Sequence, residues 1–186
     1  MNLELFEQLW KQGRPSQHSG EWRTFLQLCE SYLKKREIRH PIVVELGLFA
    51  NAQKKFYEQL LGAEHIGINI DHRRCNPDIL GNTHYPGTLK RLKEKLNGKS
   101  INILFIDAGH TYRAVENDFE MYSPLCNDIV AFHDINLGRR GKEGRKGELE
   151  NRQVWKFWDK LKKGGYKDFS FISIEQREGI GVMMRK

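Results

Sequence analysis

Apolar positions in the first 35 residues, Leu5, Leu9, Phe25, Leu26, Leu28 and Leu33, recur at helix-compatible intervals, with RPSQHSG between them as a breaker. Two helices are therefore predicted ahead of the first strand. After Pro41 the pattern changes to short continuous runs rich in Ile and Val: PIVVELG, HIGINID, INILFID and DIVAFHD, each ending in Gly or an acid. Runs without alternation suit strands covered on both faces, which means a parallel sheet between helices. The intervening segments 53–61, 86–96, 111–121 and 153–163 have helical length and period, with Pro41 and Pro86 as punctuation. FSFISIE and GIGVMMRK, split by the turn-like QREG, read as a closing hairpin that adds an antiparallel strand. Trp155, Trp158 and Leu161 share the spacing of one buried helical stripe.

With 186 residues, the chain suits one compact domain, divided into a helical extension (1–40) and an α/β core (41–186). The mean hydropathy of -0.66 fits a soluble protein with polar loops. No run is long enough to span a membrane, and the acidic, amphipathic start MNLELFEQLWKQ is unlike a signal peptide, so the expected location is cytoplasmic. Cys29, Cys75 and Cys126 form no CxxC pair and read as reduced thiols. The net charge of +7 resides largely in RRGKEGRK (139–146) and KRLKEKLNGK (90–99). The latter reads as a solvated helix face, since no aromatic residues interleave to stack bases. The irregular stretch 136–152 has the length of a lid or a disordered loop.

Ligands of open α/β sheets bind beyond the carboxyl ends of the strands, so the residues there are the candidates for chemistry. The first strand ends at Glu45-Leu46-Gly47 and the second at Asp71, about where nucleotide-binding folds place a carboxylate on ribose. The loop after Gly47 reads LFANA, without the further glycines of a GxGxxG or P-loop, so a ligand lacking phosphate is easier to reconcile with it. S-adenosylmethionine is such a ligand.

The segments VVELG, IGINID, GNTHYPGTLKRL, FIDAGHTYRAVENDFEMYSPL, IVAFHDI and VWKFWDKL resemble the class I methyltransferases. More specifically, they resemble the family of small methyltransferases related to cephalosporin-hydroxylase-like proteins and macrolide-sugar O-methyltransferases. The resemblance implies a Rossmann-like sheet of about seven strands, mostly parallel with an antiparallel C-terminal strand and helices on both faces. It further implies cofactor binding by Glu45, Gly47, Asp71, Asn82, Thr83 and Asp107. Asn51, tolerant of positive φ, is the expected turn pivot of the glycine-poor loop.

The family's strand order makes the strands ending at Asp107 and Asp134 neighbours, about 4.8 Å apart, so that their carboxylates could share one Mg²⁺ or Mn²⁺. His110, one helical turn past Asp107, is then the expected general base. His133 stands open between metal ligand and core residue, because it cannot face the same side as Asp134 unless the chain turns there. The activity expected is metal-assisted O-methylation of a small hydroxylated acceptor, with the basic loop 139–146 closing over an anionic one. The alternatives are a non-catalytic binding protein, suggested by LFANA, and RNA modification or binding, suggested by the charge. A homo-oligomer stays open.

Overall fold

The computed structural model describes residues 1–139 and 151–186. Seven strands form one mixed sheet in the order β3-β2-β1-β4-β5-β7-β6. They are β1 (Ile42–Leu46), β2 (Glu64–Asn69), β3 (Ile79–Leu80), β4 (Ile101–Ile106), β5 (Cys126–His133), β6 (Phe169–Ile174) and β7 (Ile180–Arg185). The first five run parallel, and β7 lies antiparallel to both β5 and β6. The expected α/β class, strand number and reversed strand are all present. The two-residue β3 accounts for the strand that no apolar run announced.

Among the described residues six α-helices cover the sheet: α1 (Leu3–Gln12), α2 (Ser19–Lys35), α3 (Lys54–Leu61), α4 (Pro86–Leu96), α5 (Tyr112–Tyr122) and α6 (Val154–Lys163). Pro86 occupies the first helical position of α4, where its missing N–H is no loss. Thr111 caps α5 by accepting from Ala114 N. Alternate residues of each strand feed two apolar layers. Val44, Leu46, Leu104, Ile106, Val130 and Phe132 meet α4, α5 and α6, whereas Val43, Ile103, Phe105, Ile129 and Ala131 meet α1, α2 and α3.

The two N-terminal helices thus supply most of one layer. The fully buried Trp22 contacts the rings of Phe25, Phe56, Tyr57 and Phe105, and burial of each ring of this kind contributes on the order of 2–3 kcal/mol. The linker between α1 and α2 is thereby held at the carboxyl edge of the sheet, where Ser16 reaches the main cavity. In α6 the buried stripe consists of Val154, Phe157, Trp158 and Leu161. Trp155 corrects the expectation: it lies at the margin, beneath Arg139 and Lys156. The lysines of α4 face outward, as a solvated face should. No helix among the described residues is long and apolar enough to cross a membrane.

Candidate functional site

A cavity of about 530 Å³ opens beyond the carboxyl ends of β1, β2, β4 and β5. Its first wall is the loop after β1. Gly47 adopts φ +88 and donates its N–H to the Ile68 carbonyl at 2.9 Å. A β-carbon there would fall 2.2 Å from the Asp107 carbonyl oxygen, so only glycine lets this loop close against β4. Asn51 adopts φ +53, the left-handed turn expected of it. Asn69, at the end of β2, braces the loop by accepting from Leu48 N at 3.1 Å and donating to the Asp71 carbonyl at 2.6 Å. Phe49 is 58% exposed at the rim beside Arg74 and leaves the cavity open.

Two residues expected to contact the cofactor are not among those lining the cavity. The Asp71 carboxylate is turned to Arg73, accepting from its backbone N–H (2.9 Å) and its Nε (2.6 Å), and these bonds lower its pKa to about 2. Asn69 and Ile70 line the cavity in its place. Glu45 is wholly buried under the sheet edge, 2.9 Å from His65 Nε2, and burial raises its pKa against the pull of that histidine. By contrast Asn82 and Thr83 do line the cavity. Asn82 Oδ1 accepts from His84 N, and the Thr83 carbonyl accepts from the Tyr122 hydroxyl, which fixes the segment after β3 on α5.

The opposite wall is ionic. Asp134 has φ +66, so the chain does turn after β5, and His133 and Asp134 can address the same space. Nδ1 of His133 lies 3.1 Å from Oδ1 of Asp107 and 3.2 Å from Oδ1 of Asp134. Carboxylates only accept, so the proton is on this nitrogen. The imidazole N–H thus sits where the two acids were expected to share a cation.

Oδ2 of Asp107 accepts from Gln17 Nε2 at 2.9 Å, and Gln17 in turn accepts from Gln53. Oδ2 of Asp134 faces His110 Nδ1 at 2.9 Å and also accepts from Arg152. Burial raises the Asp134 pKa, but the His110 hydrogen bond and the charges of His133, His110 and Arg152 more than offset it, and the net shift is downward. For His133 burial lowers the pKa, and the charges of Asp107, Asp134 and Glu178 reverse this and bring it to about 9.

His110 is 36% exposed and stands on the cavity wall with Asp107, Asp134, Arg152 and Glu178. Gln17, Arg152 and Glu178 were not anticipated. Gln17 comes from the segment read only as a breaker, Arg152 from the turn before α6, and Glu178 from the hairpin turn QREG, none of which carries a periodic signal. Among the described residues, the group with metal-compatible spacing is Glu21, His133 and Glu178, which shares only His133 with the expected set. Of the basic loop, Arg139 pairs with Asp159, and residues 140–146 lie outside the described residues.

Residues 49–135, from the cavity rim to the turn after β5, match the family model described as a methyltransferase domain. No curated protein sequence matches the chain. Among solved structures, the O-methyltransferase TomG of Streptomyces achromogenes, in complex with SAM, is similar with a TM-score of 0.65 at 14% identity, covering 99% of this chain and 89% of that one. The O-methyltransferase from Bacillus cereus, in complex with SAH, gives 0.60 at 12% identity, covering 87% and 81%. MycE methyltransferase from the mycinamycin biosynthetic pathway, in complex with Mg and SAH, gives 0.63 at 13% identity and covers 97% of this chain. The chain spans only 54% of the length of MycE. By its strand order and its reversed final strands the chain has the fold of the class I methyltransferases, and its residues 49–135 match the methyltransferase-domain model.

Proposed function

We propose that the protein transfers a methyl group from S-adenosylmethionine to a hydroxyl oxygen of a small-molecule acceptor. The observation that carries this reading is His110, held by the Asp134 carboxylate at 2.9 Å and facing a cavity beyond the strand ends. The cavity has the volume of a small-molecule site. Its β1–β2 wall offers the apolar Leu48, Phe49, Ile68 and Ile70 together with the amide of Asn69, a lining suited to an uncharged, phosphate-free nucleoside. Asn51, in the loop after β1, keeps a buried Oδ1 without a hydrogen-bond partner. When bound, the cofactor supplies an electrophilic methyl group.

The chain's own residues supply the base and the orientation. With its Nδ1–H directed to Asp134, His110 keeps Nε2 as the acceptor for the proton of the attacking hydroxyl, and Asp134 stabilises the imidazolium that forms. Asp107 lies on the wall shared by both halves of the cavity, where its negative charge favours a sulfonium donor. A metal ion held by Asp107 and Asp134 would have to displace His133 Nδ1, which lies 3.1 Å and 3.2 Å from their Oδ1 atoms, while Arg152 and His110 pair with Oδ2 of Asp134. Proton removal by His110 needs no ion there.

Calorimetric titration with S-adenosylmethionine, followed by methyl-transfer assays on a panel of hydroxylated acceptors, tests the reading. Binding at micromolar to submillimolar cofactor and turnover of a hydroxylated compound are expected. A chain that ignores the cofactor at millimolar concentration is the non-catalytic binding protein instead.

A further inference from the structure

We infer that Glu21, His133 and Glu178 form a site for a divalent transition-metal ion of the zinc or manganese type, on the side of the His133 ring turned away from Asp107 and Asp134. This inference stands apart from the methyl-transfer reading and uses atoms that reading leaves idle. One ligand atom from each of the three residues lies within 4.8 Å of the others. Two of the three side chains are deeply buried, Glu21 at 0% and His133 at 5% exposure, and each carries a buried atom with no hydrogen-bond partner: Oε2 of Glu21 and Nε2 of His133. Glu21 Oε2 thus has no partner and His133 Nε2 has only the Glu178 carboxylate beyond hydrogen-bond geometry, an arrangement that costs free energy unless something binds these atoms.

Each donor is pre-oriented by a separate element. Glu21 lies in the first turn of α2, and its Oε1 accepts from Gly179 N at 2.9 Å, which leaves Oε2 as the free donor. His133 ends β5, and its Nδ1–H is hydrogen-bonded to Asp107 at 3.1 Å, so the proton an incoming ion displaces is the one on Nε2, which then presents its lone pair to the metal. A metal-binding imidazole whose other N–H is held by a carboxylate is the usual support that fixes tautomer and ring orientation. Glu178 is delivered by the turn between β6 and β7, with Oε2 3.5 Å from His133 Nε2. That separation matches the edge of a tetrahedron with ligands at about 2.1 Å from the ion, roughly 3.4 Å.

The chemistry of the set selects the ion. One imidazole and two carboxylates suit Zn²⁺, Mn²⁺ or Fe²⁺ better than Mg²⁺, which prefers oxygen ligands and retains its water. Two anionic carboxylates and a neutral imidazole also match a doubly charged ion, relieving the burial that raises the Glu21 pKa. Glu178 is 39% exposed and lines the cavity, so an ion can enter from there and keep an open coordination position. Bound, it would join α2, β5 and the β6–β7 turn.

The test uses the full chain stripped with a chelator and titrated separately with Zn²⁺, Mn²⁺, Co²⁺ and Mg²⁺, read by calorimetry, thermal melting and the visible spectrum of the cobalt form. One ion per chain, a raised melting temperature and cobalt bands of a nitrogen–oxygen site are expected, with Mg²⁺ binding far more weakly. Glu21→Gln retains the acceptor for Gly179 and should weaken binding by about tenfold or more, as should Glu178→Gln. If Glu21→Gln does not fold by circular dichroism, Glu178→Gln in the exposed turn carries the test. No Zn²⁺ or Mn²⁺ binding below about 100 μM would overturn the site, and so would equal affinity in the wild type and the folded glutamine variants. A loss seen with Asp107→Asn but not with the glutamine variants would place the ion between the aspartates and overturn it equally. Cofactor titration is independent of each of these outcomes.

Discussion

The β1–β2 end of the cavity is shaped by backbone conformation and amides, namely Gly47 at φ +88, Asn51 at φ +53 and Asn69 bracing Leu48, and among the described residues no charged side chain lines it. At the β4–β5 end Asp107, His110, His133, Asp134 and Arg152 form a chain of ion pairs, with Glu178 beyond. The first end depends on what φ a residue tolerates, the second on which atom holds a proton. Substitutions should therefore fail differently at the two ends, through shape and stability at one and through rate and pH at the other.

The largest effect should come from the ionic end. His110→Ala should lower turnover by about 10²–10⁴-fold while leaving the melting temperature and cofactor affinity nearly unchanged, measured by steady-state kinetics and calorimetry. If affinity fell and turnover did not, the division of labour between the ends would be wrong. Next is Gly47→Ala, whose new methyl meets the Asp107 carbonyl. It should cost about 2–4 kcal/mol and lower the melting temperature by roughly 5–15 °C.

A pH series sharpens the contrast. His133 rises from 6.5 in the unfolded chain to about 9 in the fold, so its contribution is fully present below pH 6.5 and is lost as pH climbs through 9. Metal-free protein should lose on the order of 2–3 kcal/mol of unfolding free energy across that window, read by denaturant titration, and His133→Gln should flatten the curve. The smallest effect is expected from Asp71→Asn: with the carboxylate committed to Arg73 at the surface, cofactor affinity should stay within about threefold of wild type. A tenfold loss would restore Asp71 to the ribose.

Much of the fold was legible because both-face burial writes continuous apolar runs, and Ile42–Leu46, Ile101–Ile106 and Cys126–His133 are such runs. β3 was not, since two residues cannot establish a period. At the site, Asp107, His110 and Asp134 could be found because each ends or follows an apolar run. The residues packed against them could not: Gln17, Arg152 and Glu178 arrive from linkers and a turn, where composition signals only a break in structure. Spacing from the first strand singles out Asp71 but says nothing about Arg73 two residues on, to which its carboxylate is turned. Glu45 and His65 left a usable trace, two ionisable residues interrupting adjoining apolar runs, and they do pair beneath the sheet edge.

The bend at Asp134 ties two properties to one residue. A left-handed backbone there is comfortable for aspartate, asparagine and glycine and strained for β-branched or bulky side chains. Saturation mutagenesis at this position would therefore sort most replacements by whether the peptide can curve, and only asparagine and glycine would report on the missing charge. Between those two, asparagine keeps a polar side chain beside His110, which makes it the cleaner probe of what the carboxylate contributes.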